Sequence, residues 1–221
     1  RLQSILSLIN QKPRPSLNNL DEKLSKYLNY ENGFFVELGA NNGYSQSNTF
    51  FLEYCKNWNG ILIEGIEELS WLCRFLRLKS KTIHAACVDF SYPYDTVKMR
   101  YANLMSIVKG ALKDESADNQ HITKGMEFQN IKESYEVEVP AKTLTSIFIE
   151  NDVHTIDFLS LDVEGYEADV LRGLDLQIFQ PKFICVEARF FEEVDNVLKN
   201  NYFIVEQLTH HDYLYKNLNF K

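Results

Sequence analysis

The sequence predicts an α/β fold, in which a mostly parallel sheet is covered by helices on both faces and ends in an antiparallel hairpin. Short apolar runs alternate with segments of helical spacing along the chain, which is typical of a doubly wound sheet. The last two apolar runs are separated by a gap too short for a crossover helix, so this pair is predicted to be antiparallel. A chain of 221 residues can form one domain with a full core.

The predicted elements follow one another from residue 17 onwards. Strands are predicted over 34–38, 60–64, 81–87, 155–162, 182–188, 202–208 and 212–217. Helices are predicted over 17–30, 47–57, 67–78, 166–174 and 191–200. Ser47 or Asn48 is the expected N-cap of the second helix. We therefore expect an N-terminal arm and helix over residues 1–30 and one main domain over 31–221.

The stretch 88–154 departs from this alternation. Much of it is polar and shows no clear period, and insertions of this length are commonly functional or disordered. We interpret the region around 92–140 as a flexible lid or substrate loop. Within it, the segment 135–144 alternates between apolar and polar residues and is predicted to pair with a strand near 95–101.

Composition limits the classes of function. The net charge of -8 and the pI of about 5.2 argue against a duplex nucleic-acid surface. No apolar run approaches the ~20 residues that span a bilayer. The four cysteines lie in apolar contexts without metal-ligand spacing, which indicates reduced, buried thiols and a cytoplasmic protein. The N-terminal helix is a candidate interface for a homodimer.

The first candidate motif is "FFVELGANNGY", residues 34–44. A strand runs into a loop in which Gly39 and Gly43 allow a sharp turn or a close approach to a ligand. Asn41 stands where the dinucleotide fingerprint has its second glycine, so a pyrophosphate has no room. S-adenosylmethionine (SAM) has no phosphate, and Glu37 is suited to its ammonium group. A tight turn in another kind of α/β protein is the alternative.

The second candidate motif is "GILIEGIEEL", in which Glu64 ends the next strand. A carboxylate at this position can bind both hydroxyls of a ribose, in NAD or in SAM. Asp89, after the third strand, either contacts an adenine amino group or caps its own turn. Asn48, at the start of the second helix, is a further candidate for cofactor binding.

The third candidate motif is "IDFLSLDVEGYEADVLRGL", residues 156–174. A strand ends at Asp162, Glu164 follows it, and Glu187 ends the next strand. These carboxylates are predicted to act as the base that methyl transfer to a hydroxyl requires, directly or by holding a divalent cation such as Mg²⁺. Asp162 and Glu187 are the candidate metal ligands, and Asp162 also faces the methyl donor. Glu167 is interpreted as a first-turn helix acid.

The segment "LTHHDYLY" places two histidines near the predicted hairpin. His211 is a candidate base, because an imidazole beside carboxylates titrates near neutral pH. The alternative is that both histidines are turn residues at the far rim of the sheet.

Taken in order, the three motifs, with "TLTSI" and "PKFICVEAR", resemble the FkbM family of SAM-dependent methyltransferases over about residues 30–215. The resemblance implies a Rossmann-like class I methyltransferase with a seven-stranded sheet of order 3-2-1-4-5-7-6. It also implies methylation of hydroxyls on sugars, glycans or secondary metabolites. The SAM residues that it implies are Glu37, Gly39, Asn41, Gly43 and Glu64, and its acidic turn maps to Asp162, Glu164, Gly165 and Glu167. Many members have a proline after the ribose-binding acid, where this chain has Gly65.

The leading hypothesis is a SAM-dependent O-methyltransferase acting on a hydroxyl of a sugar, a glycan or a related small molecule. A nicotinamide-dependent oxidoreductase on the same topology is the second hypothesis, because Glu64 permits it. A non-catalytic module with the SAM-binding fold is the third.

Overall fold

The protein is described by a computed structural model over residues 13–220, so the first 12 residues of the predicted N-terminal arm and helix lie outside the described part. The strands, in chain order, are β1 (Phe34–Leu38), β2 (Asn59–Glu64), β3 (Lys81–His84), β4 (Ala86–Cys87), β5 (Thr96–Arg100), β6 (Ile107–Val108), β7 (Glu136–Lys142), β8 (Phe158–Leu161), β9 (Phe183–Glu187), β10 (Tyr202–Gln207) and β11 (Asp212–Asn217). The helices are α1 (Leu20–Leu24), α2 (Phe50–Lys56), α3 (Glu67–Leu76), α4 (Glu115–Gln129), α5 (Leu144–Glu150), α6 (Glu167–Arg172) and α7 (Phe191–Leu198).

A seven-stranded mixed sheet forms the centre of the fold, in the order β10-β11-β9-β8-β1-β2-β3. Strands β3, β2, β1, β8 and β9 are parallel to one another. Strand β11 pairs antiparallel with both β9 and β10. Numbered along the chain within this sheet and read from β3, the order is 3-2-1-4-5-7-6.

Two apolar cores cover the two faces of this sheet. Because successive side chains of a strand point to opposite faces, Phe35 and Val36 of β1 belong to different cores. Phe35 packs with residues of α1, α2 and α3, whereas Val36 packs with residues of α5, α6 and α7. By the same alternation, the side chain of Glu37 lies on the same face of the sheet as the side chain of Phe35.

The N-terminal segment is part of the domain core. A 3-10 turn over Leu17–Asn19 precedes α1, which ends at Leu24, so the helix predicted over 17–30 is too long. Leu20, Leu24 and Leu28 are buried in the core on the α1 face of the sheet. From residue 16 onwards, this part of the chain therefore packs into the domain and does not stand apart as an arm.

The middle region, interpreted from the sequence as a flexible lid or substrate loop, contains a second sheet, a helix and a core of its own. A second sheet has the order β4-β7-β5-β6, and the antiparallel pairing of β5 with β7 confirms the pairing predicted for 135–144 and 95–101. The missed helix α4 begins after Asp114, whose side chain accepts a hydrogen bond from the amide of Ser116. A separate core that includes Val97, Ile107 and Val139 stabilises this region. We call residues 86–142 the inserted subdomain.

Two smaller differences concern element boundaries. The strand predicted over 81–87 is divided at Ala85, because β3 belongs to the large sheet and β4 to the small one. The N-cap of α2 is Thr49, although Ser47 Oγ does accept a hydrogen bond from the amide of Phe50. Across residues 13–220, no helix combines the length and the hydrophobicity needed to cross a membrane.

Candidate functional site

Two adjoining cavities lie at the carboxyl ends of the parallel strands. The first, which we call the strand-end cavity, is lined by Gly39, Asn41, Glu64, Cys87, Met99 and Asp162, among others. The second, which we call the rim cavity, is lined by Asn48, Asp162, Glu164, Glu187, Arg189 and His211, among others. Both cavities include Gln46, Leu104, Asp162 and Glu164. Two of the predicted acids, Asp162 and Glu164, therefore lie where the two cavities meet.

Gly39 allows β1 and β8 to approach each other at the floor of the strand-end cavity. Its φ is +74°, and a Cβ atom at this position would lie 1.9 Å from the backbone oxygen of Asp162. Only glycine fits such a turn without displacing the backbone. Gly43 also has a positive φ, but it packs against Arg77 and Cys73 and does not line the cavity.

Glu64 is the buried acid of the strand-end cavity, with 6% of its surface exposed. One carboxylate oxygen accepts a hydrogen bond from the amide of Asn41 at 2.7 Å, and the other accepts one from the amide of Ile66 at 2.8 Å. Each oxygen can accept a further bond. Burial raises the pKa of Glu64 to about 7, against the opposing effect of these backbone donors. The carboxylate is therefore held in place and is ready to accept hydroxyl donors.

Gly65 stands where many members of the FkbM family have a proline, and its packing against the inserted subdomain gives a physical reason for the difference. A Cβ atom at Gly65 would lie 2.4 Å from Sδ of Met99 in β5. The side chain of Met99 lines the strand-end cavity. The absence of a side chain at Gly65 thus allows the small sheet to pack against the loop after β2.

Glu37 does not line the strand-end cavity, contrary to the prediction that it binds the cofactor's ammonium group. Its carboxylate accepts hydrogen bonds from the hydroxyls of Ser47 and Thr49 and from the amide of Asn48. The guanidinium of Arg77 lies 3.5 Å away on the same side of the sheet. Glu37 therefore holds the start of α2 in place, on the face that the alternation of β1 assigns to it.

Two other candidates for cofactor binding have different positions from those expected. Asp89 accepts hydrogen bonds from the amide and the hydroxyl of Ser91 and does not line either cavity. It therefore caps its own turn, which was the alternative to contact with the adenine. The neighbouring Cys87 takes the place beside the strand-end cavity. Asn48 lines the rim cavity instead, and its Nδ2 donates to Oγ of Ser160 at 3.1 Å.

The three acids Asp162, Glu164 and Glu187 form one cluster, with a carboxylate oxygen of each lying within 4.8 Å of the others. Asp162 and Glu187 share a hydrogen bond, and burial, followed by the charge of Glu187, raises the pKa of Asp162 well above its usual value. A carboxyl pair of this kind holds a proton between its members. Oxygen ligands of this type suit Mg²⁺, although Arg189 already binds Glu164.

Glu164 is held from two sides. It adopts a left-handed backbone conformation with φ of 58°, forms an ion pair with Arg189, and lies 3.6 Å from Nε2 of His121 in α4. Burial raises the pKa of Glu164 to about 7, while the guanidinium of Arg189 opposes the rise. Glu167 has a structural role, because its carboxylate accepts hydrogen bonds from the amides of Val163 and Gly165 and so stabilises the acidic turn.

His211 lies at the exposed side of the rim cavity, on the turn that precedes β11. Its ring packs against that of His210, with 4.5 Å between the ring centroids. His211 therefore lines the rim cavity, and its role as a base stays a prediction. The sequence analysis missed the roles of His121, Arg189 and Arg77, because their partners are distant in the sequence, although Arg189 ends the motif "PKFICVEAR".

The strand-end cavity fits an adenosine-bearing cofactor. A turn without a side chain follows β1, and a buried carboxylate with free acceptor capacity ends β2, which is the arrangement that binds a ribose in open α/β sheets. The seven-stranded sheet around it has the strand order that the resemblance to the FkbM family implies. The chain belongs to the FkbM methyltransferase family, because a sequence model of the methyltransferase FkbM domain matches residues 37–216. It is thus a SAM-dependent methyltransferase by family, and this assignment favours methyl transfer over the nicotinamide hypothesis.

Comparison with other proteins gives only distant likenesses. No curated protein sequence matches the chain. Among solved structures, a SAM-dependent methyltransferase from Aquifex aeolicus is 10% identical, with a TM-score of 0.45 and 96% of both chains covered. Methanococcus jannaschii fibrillarin, a pre-rRNA processing protein, is 12% identical with a TM-score of 0.43, covering 87% of this chain and 69% of its own. Aeropyrum pernix fibrillarin, solved with natively bound SAM, is 10% identical with a TM-score of 0.42, covering 86% and 67%.

Proposed function

We propose that this protein transfers the methyl group of SAM to a hydroxyl oxygen of a sugar, a glycan or a related polar small molecule. The observation that carries the proposal is the junction of the two cavities at Asp162 and Glu164. A cofactor in the strand-end cavity would present its reactive end to this junction, and an acceptor in the rim cavity would meet it there.

In the strand-end cavity, Glu64 would accept the two ribose hydroxyls, while the backbone at Gly39 and Asn41 would shape the wall of the site. Cys87 would lie beside the adenine of the cofactor. When bound, SAM supplies a methyl group activated by its sulfonium. These residues therefore bind and orient, and none of them needs to react.

In the rim cavity, we assign the role of base to Glu187. Glu187 lines only the rim cavity, whereas Asp162 lines both cavities, and burial and the charge of Glu187 raise the pKa of Asp162 and favour its protonated form. In the net reaction the acceptor oxygen forms the new C–O bond, its proton passes to the carboxylate, and sulfur keeps the electrons of the broken C–S bond. Positioned bases of this kind contribute about 10²–10⁴-fold to the rate. His211 is the alternative base, and a divalent cation held by Asp162 and Glu187 is the alternative means of activating the hydroxyl.

We further propose a cytoplasmic protein whose acceptor is a small molecule or glycan and not a nucleic acid. The net charge of -8 and the four carboxylates lining the rim cavity support this part of the proposal. A phosphate backbone would be repelled by such a surface.

The first test is calorimetric titration of S-adenosylhomocysteine (SAH) into the wild type, Glu64→Ala and Glu68→Ala. Glu68 is exposed on α3 and serves as the matched control. We expect binding to the wild type and the control, and its loss in Glu64→Ala. A wild type that does not bind SAH would rule out the proposed cofactor site.

The second test follows transfer of a labelled methyl group from SAM to a panel of hydroxylated acceptors. We expect Glu187→Gln to reduce turnover by about a hundredfold with unchanged affinity for SAH, and His211→Asn to reduce it less. Repeating the assay with EDTA and with Mg²⁺ separates direct base catalysis from metal-assisted activation. Cofactor binding without product from any acceptor would instead favour the non-catalytic module.

A further inference from the structure

The rim cavity is lined by more acidic side chains than basic ones. Four carboxylates line it, those of Asp162, Glu164, Glu187 and Asp212, against the one guanidinium of Arg189. Among the described residues, the ion pair at this cavity is that of Glu164 with Arg189, and the imidazole of His121 lies 3.6 Å from the same carboxylate.

The other three carboxylates depend on neutral partners. Asp162 and Glu187 share a hydrogen bond, and Asp212 accepts one from the hydroxyl of Thr209. Nearby like charges raise the free energy of the ionised cluster, and a cation in the cavity would relieve this repulsion. Arg189 is already committed to Glu164, so it does not offer a free site for an anionic acceptor.

Asn48 gives a second and independent indication of a ligand. The residue is 9% exposed and lines the rim cavity. Its Nδ2 is bonded to Ser160, but its Oδ1 is buried without a hydrogen-bond partner. A buried acceptor left without a donor is destabilising, because it has lost its hydrogen bonds to water. A ligand that brings an N–H or O–H donor to this oxygen would remove this destabilisation.

We infer that the acceptor carries a protonated amine beside the hydroxyl that is methylated, as in an amino sugar or an aminocyclitol. An ammonium offers three donors and no acceptor, which matches a cavity whose described groups are mainly acceptors. The same carboxylates would reject an acceptor that bears a phosphate or a carboxylate, because like charges at close range oppose binding. This inference rests on the proposed function and specifies its substrate class.

The experiment uses three six-membered ring polyols that differ in charge. They are 2-deoxystreptamine, which is cationic, myo-inositol, which is neutral, and myo-inositol 1-phosphate, which is anionic. Each is titrated into wild-type protein saturated with SAH, and binding is measured by saturation-transfer NMR and calorimetry. We expect the aminocyclitol to bind about tenfold or more tightly than myo-inositol, and the phosphate not to bind detectably.

Three variants locate the effect. Glu187→Gln should reduce the preference for the amine to about threefold or less, and Asn48→Leu should weaken the binding of the aminocyclitol with SAH affinity unchanged. Glu192→Gln, which alters an exposed acid of α7 outside both cavities, should preserve the preference.

The outcomes separate this inference from the function on which it rests. If SAH binds but 2-deoxystreptamine binds no better than myo-inositol, or neither is detected, the amine class is overturned and the methyltransferase proposal stands. A preference for the phosphate that depends on added Mg²⁺ would assign the carboxylates to a metal ion and would also overturn it. If SAH itself does not bind, the proposed function fails, and this inference fails with it.

Discussion

The strand-end cavity and the rim cavity share Asp162 and Glu164 but are built from different kinds of sequence. In the strand-end cavity, the carboxylate of Glu64 is fixed by neighbouring loops, through the amides of Asn41 and Ile66 after β1 and β2. The rim cavity collects its walls from segments between residues 17 and 212, including Asn48, Arg189 and His211. A site whose main carboxylate is fixed locally serves a cofactor common to many enzymes, whereas a cavity walled by distant loops can vary with the acceptor.

The largest expected effect breaks both cavities together. Gly39→Ala would place a Cβ atom 1.9 Å from the backbone oxygen of Asp162, so β1 and β8 would have to separate. We expect a loss of at least about 4 kcal/mol in the free energy of unfolding, or failure to fold. Chemical denaturation provides the measurement.

Gly110→Ala is the control for this variant. Gly110 also has a positive φ, of +86°, but nothing lies within 4 Å of a Cβ atom placed there. The expected cost is therefore the conformational one alone, about 1–2 kcal/mol. Equal destabilisation of the two variants would show that the close approach of Asp162 is unimportant.

The second effect is on the support behind the strand-end cavity. Arg77 is buried and binds Glu53 at 2.9 Å, the backbone oxygen of Gly43 at 3.0 Å and the hydroxyl of Thr49 at 2.8 Å. Arg77→Met leaves the carboxylates of Glu37 and Glu53 buried without their cation, which costs about 3–5 kcal/mol. We expect a matching drop in stability, whereas Arg74→Met, at the solvent-facing ring of Trp71, should cost about 0.5 kcal/mol or less. Similar losses in both variants would contradict this role of Arg77.

The difference between the cavities also explains what could be predicted from the sequence. The observed bounds of β1 and β11 are the same as those predicted from the sequence. Glu64 was identified as a site residue because it is the last residue of a predicted strand. Glu37 lies one residue before the end of β1, and the register of β1 with β2 puts it on the same face of the sheet as Glu64. The sequence placed both acids near strand ends, and only the folded structure shows that the carboxylate of Glu37 is occupied by Ser47, Asn48 and Thr49.

The residues that the sequence did not reveal act across long separations or lack periodicity. In α4, the buried residues are few and partly polar, among them Asp118, His121 and Gly125, so no apolar stripe marks the helix. Asp114, with acids in the turn that follows it, was the available signal of a helix start. Nothing in the local sequence around His121 indicates that it contacts Glu164, because that contact exists only once the inserted subdomain is packed against the acidic turn.

The third effect is the pH dependence of SAH binding, which tests the role of Glu64 in the strand-end cavity. Ribose hydroxyls that donate to Glu64 favour its charged form, so its pKa in the complex lies below the value of about 7 in the free protein. Below that pH, binding must release a proton. SAH affinity should therefore rise with pH, by at most about tenfold per pH unit, and level off above about pH 7. Calorimetry in buffers of different ionisation enthalpy measures the proton release.

Glu64→Gln isolates the residue responsible for this dependence, because Asp162 and Glu164 also line the cavity and also have raised pKa values. The variant should bind SAH about tenfold or more weakly, since hydrogen bonds to a charged group contribute about 1.5–3 kcal/mol. Its affinity should also vary less with pH. An unchanged pH profile in Glu64→Gln would assign the proton to the acidic cluster instead.

The smallest effect tests whether His121 of the inserted subdomain influences the acceptor side alone. Burial lowers the pKa of His121, so its imidazole is neutral near pH 7 and its approach to Glu164 is not a full ion pair. Nε2 lies closer to the backbone oxygen of Met105, at 3.1 Å, than to the carboxylate of Glu164, at 3.6 Å. We expect His121→Leu to lower kcat/KM for the acceptor by about threefold, which corresponds to about 0.7 kcal/mol, and to leave SAH affinity unchanged. A loss of SAH affinity in this variant would show that the two cavities are coupled through the acidic turn, and the separation between cofactor and acceptor walls would have to be abandoned.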